Sequence, residues 1–134
     1  MKHNVDFRVY YEDTDAGGIM YHASFIRFCE RSRTEMLRHL GVSCSDLEEQ
    51  QGLLFVVRHL DADYFKPAYL DDLLTVKTGI HEIKNSSFIM DHTIFRDDME
   101  IFRMNATIVC ISKDGKPVRV PVNIRDLFQP YEKS

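Results

Sequence analysis

After Gly52 the hydrophobic period of this chain changes to two, and only one earlier stretch, His22 to Leu40, carries the period of a long helix. The balance between those two parts limits what can fold. Five strands spaced about 4.8 Å apart make a sheet roughly 24 Å across, whereas one helix is only about 10–12 Å wide. A single helix cannot cover a flat sheet of that size. The sheet must curl around the helix or a second subunit must cover the rest, and both are expected.

Leu53 to Tyr64, Leu73 to Ile83, Ser87 to Phe95 and Ile101 to Ser112 each read as strands. The third is clearest, with Phe88, Met90, His92 and Ile94 alternating against Ile89, Asp91, Thr93 and Phe95. Phe7 to Tyr11, aromatic and branched, predicts a short first strand. Asp97-Asp98 and Asp114-Gly115 mark turns, and Pro117 and Pro121 confine the last stretch to an edge. A looser helical turn is expected from Ser45 to Gln51 and a short helix from Ile124 to Phe128. Alternating strand–helix units are absent, so the class is α+β with a mainly antiparallel sheet. No repeat or linker divides residues 1–134, which predicts one domain.

The long helix has Phe25, Phe28, Cys29, Ser32, Met36 and Leu40 on one side, and Gly41 stands where a left-handed cap ends it. Arg38 and His39 oppose the negative end of its dipole. Arg31 and Glu35 are spaced to pair, and Arg27, Arg31 and Arg33, interleaved with Glu30 and Glu35, read as a solvated face.

Composition removes several function classes. A net charge of −4 argues against a nucleic acid as the main partner, which needs a concentrated basic face. No apolar run reaches the length of a membrane span, and Met1 to Asp6 lacks the apolar centre of a signal peptide, so a cytoplasmic protein is expected. The three cysteines, Cys29, Cys44 and Cys110, form no close pair, against a disulfide scaffold or thiolate zinc site. Cys29 and Cys110 read as core residues. The remaining histidines, His3, His39, His59, His81 and His92, lack metal-ligand spacing and read as surface or structural groups.

The chemistry falls on Asp13-Thr14-Asp15-Ala16-Gly17-Gly18, a loop delivered by a strand and followed by the helix start. Free N–H groups at a helix N-terminus carry partial positive charge and polarise a carbonyl or bind an anion. A carboxylate on this loop, seven residues upstream of His22, could fold back to face that end, supplying a nucleophile or base beside an oxyanion site. Such a pair suits a thioester: the leaving thiol, with a pKa of about 8.5, departs without strong acid help. The plainer reading is that Asp13 and Asp15 cap the turn and the helix. An EF-hand fails, since its twelfth position falls on Ser24 rather than Glu. A haloacid-dehalogenase-type phosphatase also begins strand-Asp-x-Asp, but needs a larger α/β sheet. Gly17-Gly18 lacks both phosphate-loop patterns.

The run Val9 to Phe25, continuing through Glu30 to Leu37, closely resembles the YbgC-type acyl-CoA thioesterases of the 4-hydroxybenzoyl-CoA thioesterase branch of the hot-dog fold. Phe55-Val56-Val57-Arg58, Tyr64, Pro67-Ala68 and Leu70-Asp71-Asp72 extend the match, which fades after Ile80. Ile19-Met20 replaces a usual Val-Val pair, and Ser32 a usual Ala. The resemblance implies a curved antiparallel sheet of about five strands wrapped around one central helix. It implies that Asp15 is catalytic, that the backbone N–H of His22 polarises the thioester carbonyl, and that Asp13 is a structural partner of the loop.

Gly17, Gly18, Tyr21, Arg58 and Ser86 are the candidate substrate-binding residues; Lys66, Lys84 and Arg119 are, with Arg58, candidates by charge for the coenzyme A phosphates. The substrate implied is a coenzyme A thioester with a short-chain or aromatic acyl group, or a thioester of acyl carrier protein. No cofactor, metal or nucleic acid is implied. The resemblance further implies a homodimer or homotetramer with sites between subunits. The rival from another class is a non-catalytic acyl-carrier or lipid-enzyme partner of the Tol-Pal envelope system, peripheral to the inner membrane. A hot-dog dehydratase, the enzymatic rival, relies instead on a catalytic His with a separate acid.

Overall fold

The computed structural model describes residues 1–132. Helix α1 spans His22–His39, and its buried residues Phe25, Phe28, Cys29, Ser32 and Met36 follow the expected spacing, joined by Ser24 and Leu37. Gly41 ends it with φ +85° and donates to the Arg38 carbonyl at 3.0 Å. A left-handed residue is needed at that point, and glycine supplies it without a side-chain clash. Glu35 pairs with Arg38 at 2.8 Å rather than with Arg31, whose guanidinium lies 5.8 Å from the Phe28 ring centroid. After α1 a short α2 (Cys44–Asp46), capped by the Ser43 hydroxyl, widens into a π-type turn over Leu47–Gln51.

Five strands follow the expected scheme: β1 (His3–Arg8), β2 (Leu53–Tyr64), β3 (Leu73–Ile83), β4 (Ser87–Arg96) and β5 (Met99–Ser112). They form one antiparallel sheet in the order β1-β3-β4-β5-β2. The first strand lies earlier than Phe7 to Tyr11. The Asp13 carboxylate accepts the Tyr10 N–H at 2.9 Å and draws Tyr11–Asp13 into a tight 3₁₀ turn, which ends the strand. The register shifts between Val57 and His59 and again between Ile80 and Glu82, so Arg58 and His81 occupy bulges. A closing helix α3 covers Val122–Phe128.

The alternation of β4 is realised literally: Phe88, Met90, His92 and Ile94 are buried towards α1. Leu74, Val76 and Ile80 of β3 and Phe102, Met104, Ala106 and Ile108 of β5 complete that inner face. Each large side chain so buried contributes about 1.5–3 kcal/mol. Cys29 and Cys110 both lie in this core, and burial pushes the Cys29 thiol up to about 12. One polar string crosses it. The Ser32 hydroxyl bonds to the Thr78 hydroxyl at 2.9 Å, which in turn meets Nδ1 of His92 at 3.1 Å. Burial, reinforced by the positive charges of Arg33 and Lys2, lowers His92 to about 3.

β2 is different. Val57 is 46% exposed, Leu60 38% and Tyr64 45%, and one edge of this 12-residue strand has no neighbour among the described residues. The curled sheet thus wraps α1 and leaves β2 as an exposed edge.

Candidate active site

The loop between β1 and α1 is built from the backbone outward. Asp13 is buried, and its carbonyl accepts the Tyr21 N–H at 2.9 Å and the Ser24 hydroxyl at 3.0 Å, which fixes the approach to the helix. Asp15 is exposed. Its Oδ1 accepts from the Gly17 N–H at 2.8 Å and the Ile19 N–H at 3.3 Å, while its own N–H donates to the Ile19 carbonyl at 2.8 Å. The carboxylate therefore caps its own turn through one oxygen, and Oδ2 lies outside those bonds. Gly18 takes φ +79°, and a Cβ on Gly17 would lie 3.4 Å from Asp15 Oδ1, in van der Waals contact. Both glycines shape the seat of the acid.

Among the described residues no side chain caps the N-terminus of α1. The first N–H groups of an 18-residue helix are thus left to other acceptors. His22 is exposed and opens the helix, and its ring lies against Tyr21 at 4.3 Å between centroids. The Tyr64 hydroxyl donates to the His22 carbonyl at 2.8 Å and ties the end of β2 to the first turn of α1. Burial raises the Tyr64 phenol above its ordinary value, keeping it a donor. Beside this joint opens a cleft of about 280 Å³ lined by Met20, His22, Phe25, Tyr64, Phe65, Lys66 and Pro67. Its aromatic wall is continuous, since Phe25 and Tyr64 meet edge to face at 5.3 Å.

The fold brings Asp15, Gly17, Gly18, Tyr21 and His22 together on one loop and helix start. Arg58 is exposed in the β2 bulge, away from that loop in sequence and strand position. Ser86 lies in the β3–β4 turn, where its carbonyl accepts the Cys110 N–H at 2.8 Å. The Asp15 loop adjoins the opposite end of β3, through Val9 N–H to the Asp72 carbonyl at 2.9 Å. An 11-residue strand separates them, about 33 Å at the usual rise. Among the described residues no three His, Cys, Asp or Glu gather as a metal site. No helix of these residues is long and apolar enough to cross a membrane.

The sequence placed Phe25 on the apolar helix face and Tyr64 in the second strand but gave neither a part in the site, because their meeting in the cleft depends on β2 running back along α1. It also misplaced Arg33. Its Nη1 is buried rather than solvated. The signal was present: Arg33 stands four residues from both Cys29 and Leu37, which are buried.

The geometry has known counterparts. The Thioesterase-like superfamily profile matches residues 9–128. The Acyl-CoA thioesterase YbgC of Haemophilus influenzae is 41% identical over 122 residues, spanning 90% of each chain. A probable thioesterase from Bartonella henselae superposes with a TM-score of 0.86 at 37% identity, over 90% of this chain and 100% of that one. A 4-hydroxybenzoyl-CoA thioesterase crystallised with 4-hydroxybenzoyl-CoA shares the fold at a TM-score of 0.89 and 20% identity, over 95% of this chain and 98% of that one. The α+β hot-dog fold and these matches place the chain in the thioesterase class. The chain belongs to the thioesterase-like superfamily and stands within it among the YbgC-type acyl-CoA thioesterases.

Proposed function

We propose that the protein hydrolyses the thioester bond of acyl-CoA, with short-chain or aromatic acyl groups as its main substrates and acyl carrier protein thioesters as a second class. The observation that carries this is the Asp15 carboxylate, seated by the Gly17 and Ile19 N–H groups on a loop that runs directly into the uncapped start of α1. The thioester oxygen rests on the His22 N–H, where the helix end stabilises the charge that develops as the carbonyl is attacked. Asp15 then acts by one of two routes. Either its free oxygen bonds to the carbonyl carbon, the C–S bond breaks and the thiolate leaves a mixed anhydride for water to cleave, or Asp15 takes a proton from the attacking water. No acid is needed for the leaving group, because a thiol of pKa about 8.5 departs as thiolate.

Gly17, Gly18 and Tyr21 border the reacting carbon, and Lys66 in the cleft meets the coenzyme's negative charge. A second copy completes the site. Antiparallel pairing of two free β2 edges would bury the exposed Val57 and Leu60 and lay the Phe55 end of one copy beside the Tyr64 end of the other. Ser87 pairs with Val109, and Val109 with Val56, so Ser86 of the second copy travels with that Phe55 end towards Asp15. Arg58, near the middle of β2, is a candidate for the coenzyme's phosphates by its charge. The working unit is a homodimer, or a tetramer of two such pairs, acting in the cytoplasm.

The test is a panel of acyl-CoA and acyl carrier protein thioesters, from short aliphatic to long-chain and aromatic, with free thiol followed over time. Turnover lost in a folded Asp15→Asn variant is the expected result. Absence of turnover on every ester, together with tight binding of the carrier, would instead favour a non-catalytic partner of the Tol-Pal system.

A further inference from the structure

Asp15 and the start of α1 must be held at a fixed separation to act on one carbonyl, and the usual tie between a loop and a helix start would defeat that. A capping side chain accepts the first helical N–H groups, the same donors that a thioester oxygen needs. In this chain the tie runs the other way. Ser24, fully buried in the first turn of α1, reaches back and donates its hydroxyl to the Asp13 carbonyl at 3.0 Å. Nη2 of Arg27 donates to the same Oγ at 2.7 Å. A guanidinium only donates and a carbonyl only accepts, so the direction of both bonds is fixed. The charged donor makes the first bond strong and polarises the second.

Asp13 is the base of the turn that carries the acid. Residues 13–21 fold as a small antiparallel ribbon: the Tyr21 N–H donates to the Asp13 carbonyl at 2.9 Å, Thr14 pairs with Met20, and the Asp15 N–H donates to the Ile19 carbonyl at 2.8 Å. Its outer side is held by the Met20 N–H on the Ala68 carbonyl at 2.7 Å and the Leu70 N–H on the Gly18 carbonyl at 3.1 Å. Those bonds fix the ribbon to the segment before β3, and none of them reaches α1. Among the described residues of α1, Ser24 alone hydrogen-bonds to the ribbon.

We propose that Ser24, oriented by Arg27, is a positioning residue for thioester hydrolysis: its bond to the Asp13 carbonyl sets the Asp15 carboxylate against the His22 N–H without a side chain occupying that N–H. This rests on the thioesterase reading above. A displacement of about 1 Å between reacting groups can cost about a hundredfold in rate, while contacts to the rest of the substrate are kept. The loss therefore falls on kcat rather than KM.

The experiment is steady-state kinetics on the acyl-CoA ester that the wild type turns over fastest, with Ser24→Ala, Ser24→Thr and Arg27→Met alongside. In Ser24→Ala, kcat falls about tenfold to a hundredfold and KM stays within about twofold. Ser24→Thr keeps the hydroxyl and restores most of the rate. Arg27→Met leaves Ser24 its bond to Asp13 but removes the charged donor, and costs about threefold in kcat. Amide exchange without substrate gives a second readout: the Tyr21 N–H, which shares the Asp13 carbonyl, exchanges about tenfold faster in Ser24→Ala, while the Met90 N–H in β4 is unmoved. An unchanged kcat in folded Ser24→Ala overturns the proposal. So does a loss confined to KM, which would make Ser24 a substrate contact, or a loss that folded Ser24→Thr leaves unrepaired. If Ser24→Ala does not fold, the exposed Arg27 carries the test, and an unchanged kcat in Arg27→Met then overturns it. A wild type that hydrolyses no ester counts against the thioesterase reading, and faster Tyr21 exchange in Ser24→Ala still supports the link. Turnover with kcat and exchange both unmoved counts against this proposal alone.

Discussion

Polar groups at the start of α1 and those beneath its middle are held in opposite ways. At the start, the exposed Asp15 is oriented by two backbone N–H groups, and one of its oxygens lies outside those bonds. Beneath the middle, Ser32, Thr78 and His92 bond to one another and are wholly buried. The first arrangement fixes an acid while keeping it open to a ligand. The second uses polar groups to close a core. Nε2 of His92 also lacks a partner among the described residues, so catalytic capacity follows which groups a ligand can reach.

Four changes sharpen that contrast. Asp15→Asn should have the largest effect, lowering acyl-CoA turnover about 10²- to 10⁴-fold. Its amide oxygen can still accept from Gly17 and Ile19, so the thermal midpoint should barely move; a large fall in stability would mean that the acid is chiefly a turn cap. Thr78→Val should do the reverse. It strands Ser32 and His92 in the core at about 1–3 kcal/mol for each group, read from urea unfolding, with turnover per folded molecule kept.

The third change is of pH. His92 is lowered in the folded protein to about 3, against an ordinary value of 6.5. Between those values the unfolded chain binds a proton that the folded one refuses. Stability is therefore full above pH 6.5 and declines as the pH falls towards 3, by about 1.4 kcal/mol per pH unit from this group. Urea unfolding at successive pH values should show a shallower decline in His92→Gln, and identical slopes would refute a neutral buried imidazole. Tyr64→Phe should have the smallest effect, about 0.5–1.5 kcal/mol from the lost bond to the His22 carbonyl.

Much of the fold was legible because the information is local. Phe25, Phe28, Cys29 and Met36 mark one helix face whatever lies opposite, and Gly41 ends that helix through its own backbone freedom. Phe88 to Ile94 alternate because successive strand residues point to opposite faces. The site was legible in part for the same reason: Asp15, Gly17, Gly18 and His22 fall within eight consecutive residues and one loop assembles them. Ser86 could not be located this way. Only the pairing of β1 with β3 sets it at the far end of a strand from Asp15. β1 itself ends at Arg8, before its aromatic run is complete, because the Asp13 carboxylate takes the Tyr10 N–H into a turn.

Arg33 shows where local pattern fails. Charges at Glu30, Arg31, Arg33 and Glu35 look like a solvated face, but a long aliphatic stem lets an arginine follow an apolar wall inward. By itself the sequence determined the class of fold, the helix with its cap and the acidic loop at its start, since each depends on residues a few positions apart. Only the tertiary structure decided that Tyr64 closes on His22, that Arg33 turns inward and that β2 keeps a bare edge. Those outcomes depend on which distant segments lie opposite one another, and side-chain periodicity carries no record of the opposing surface.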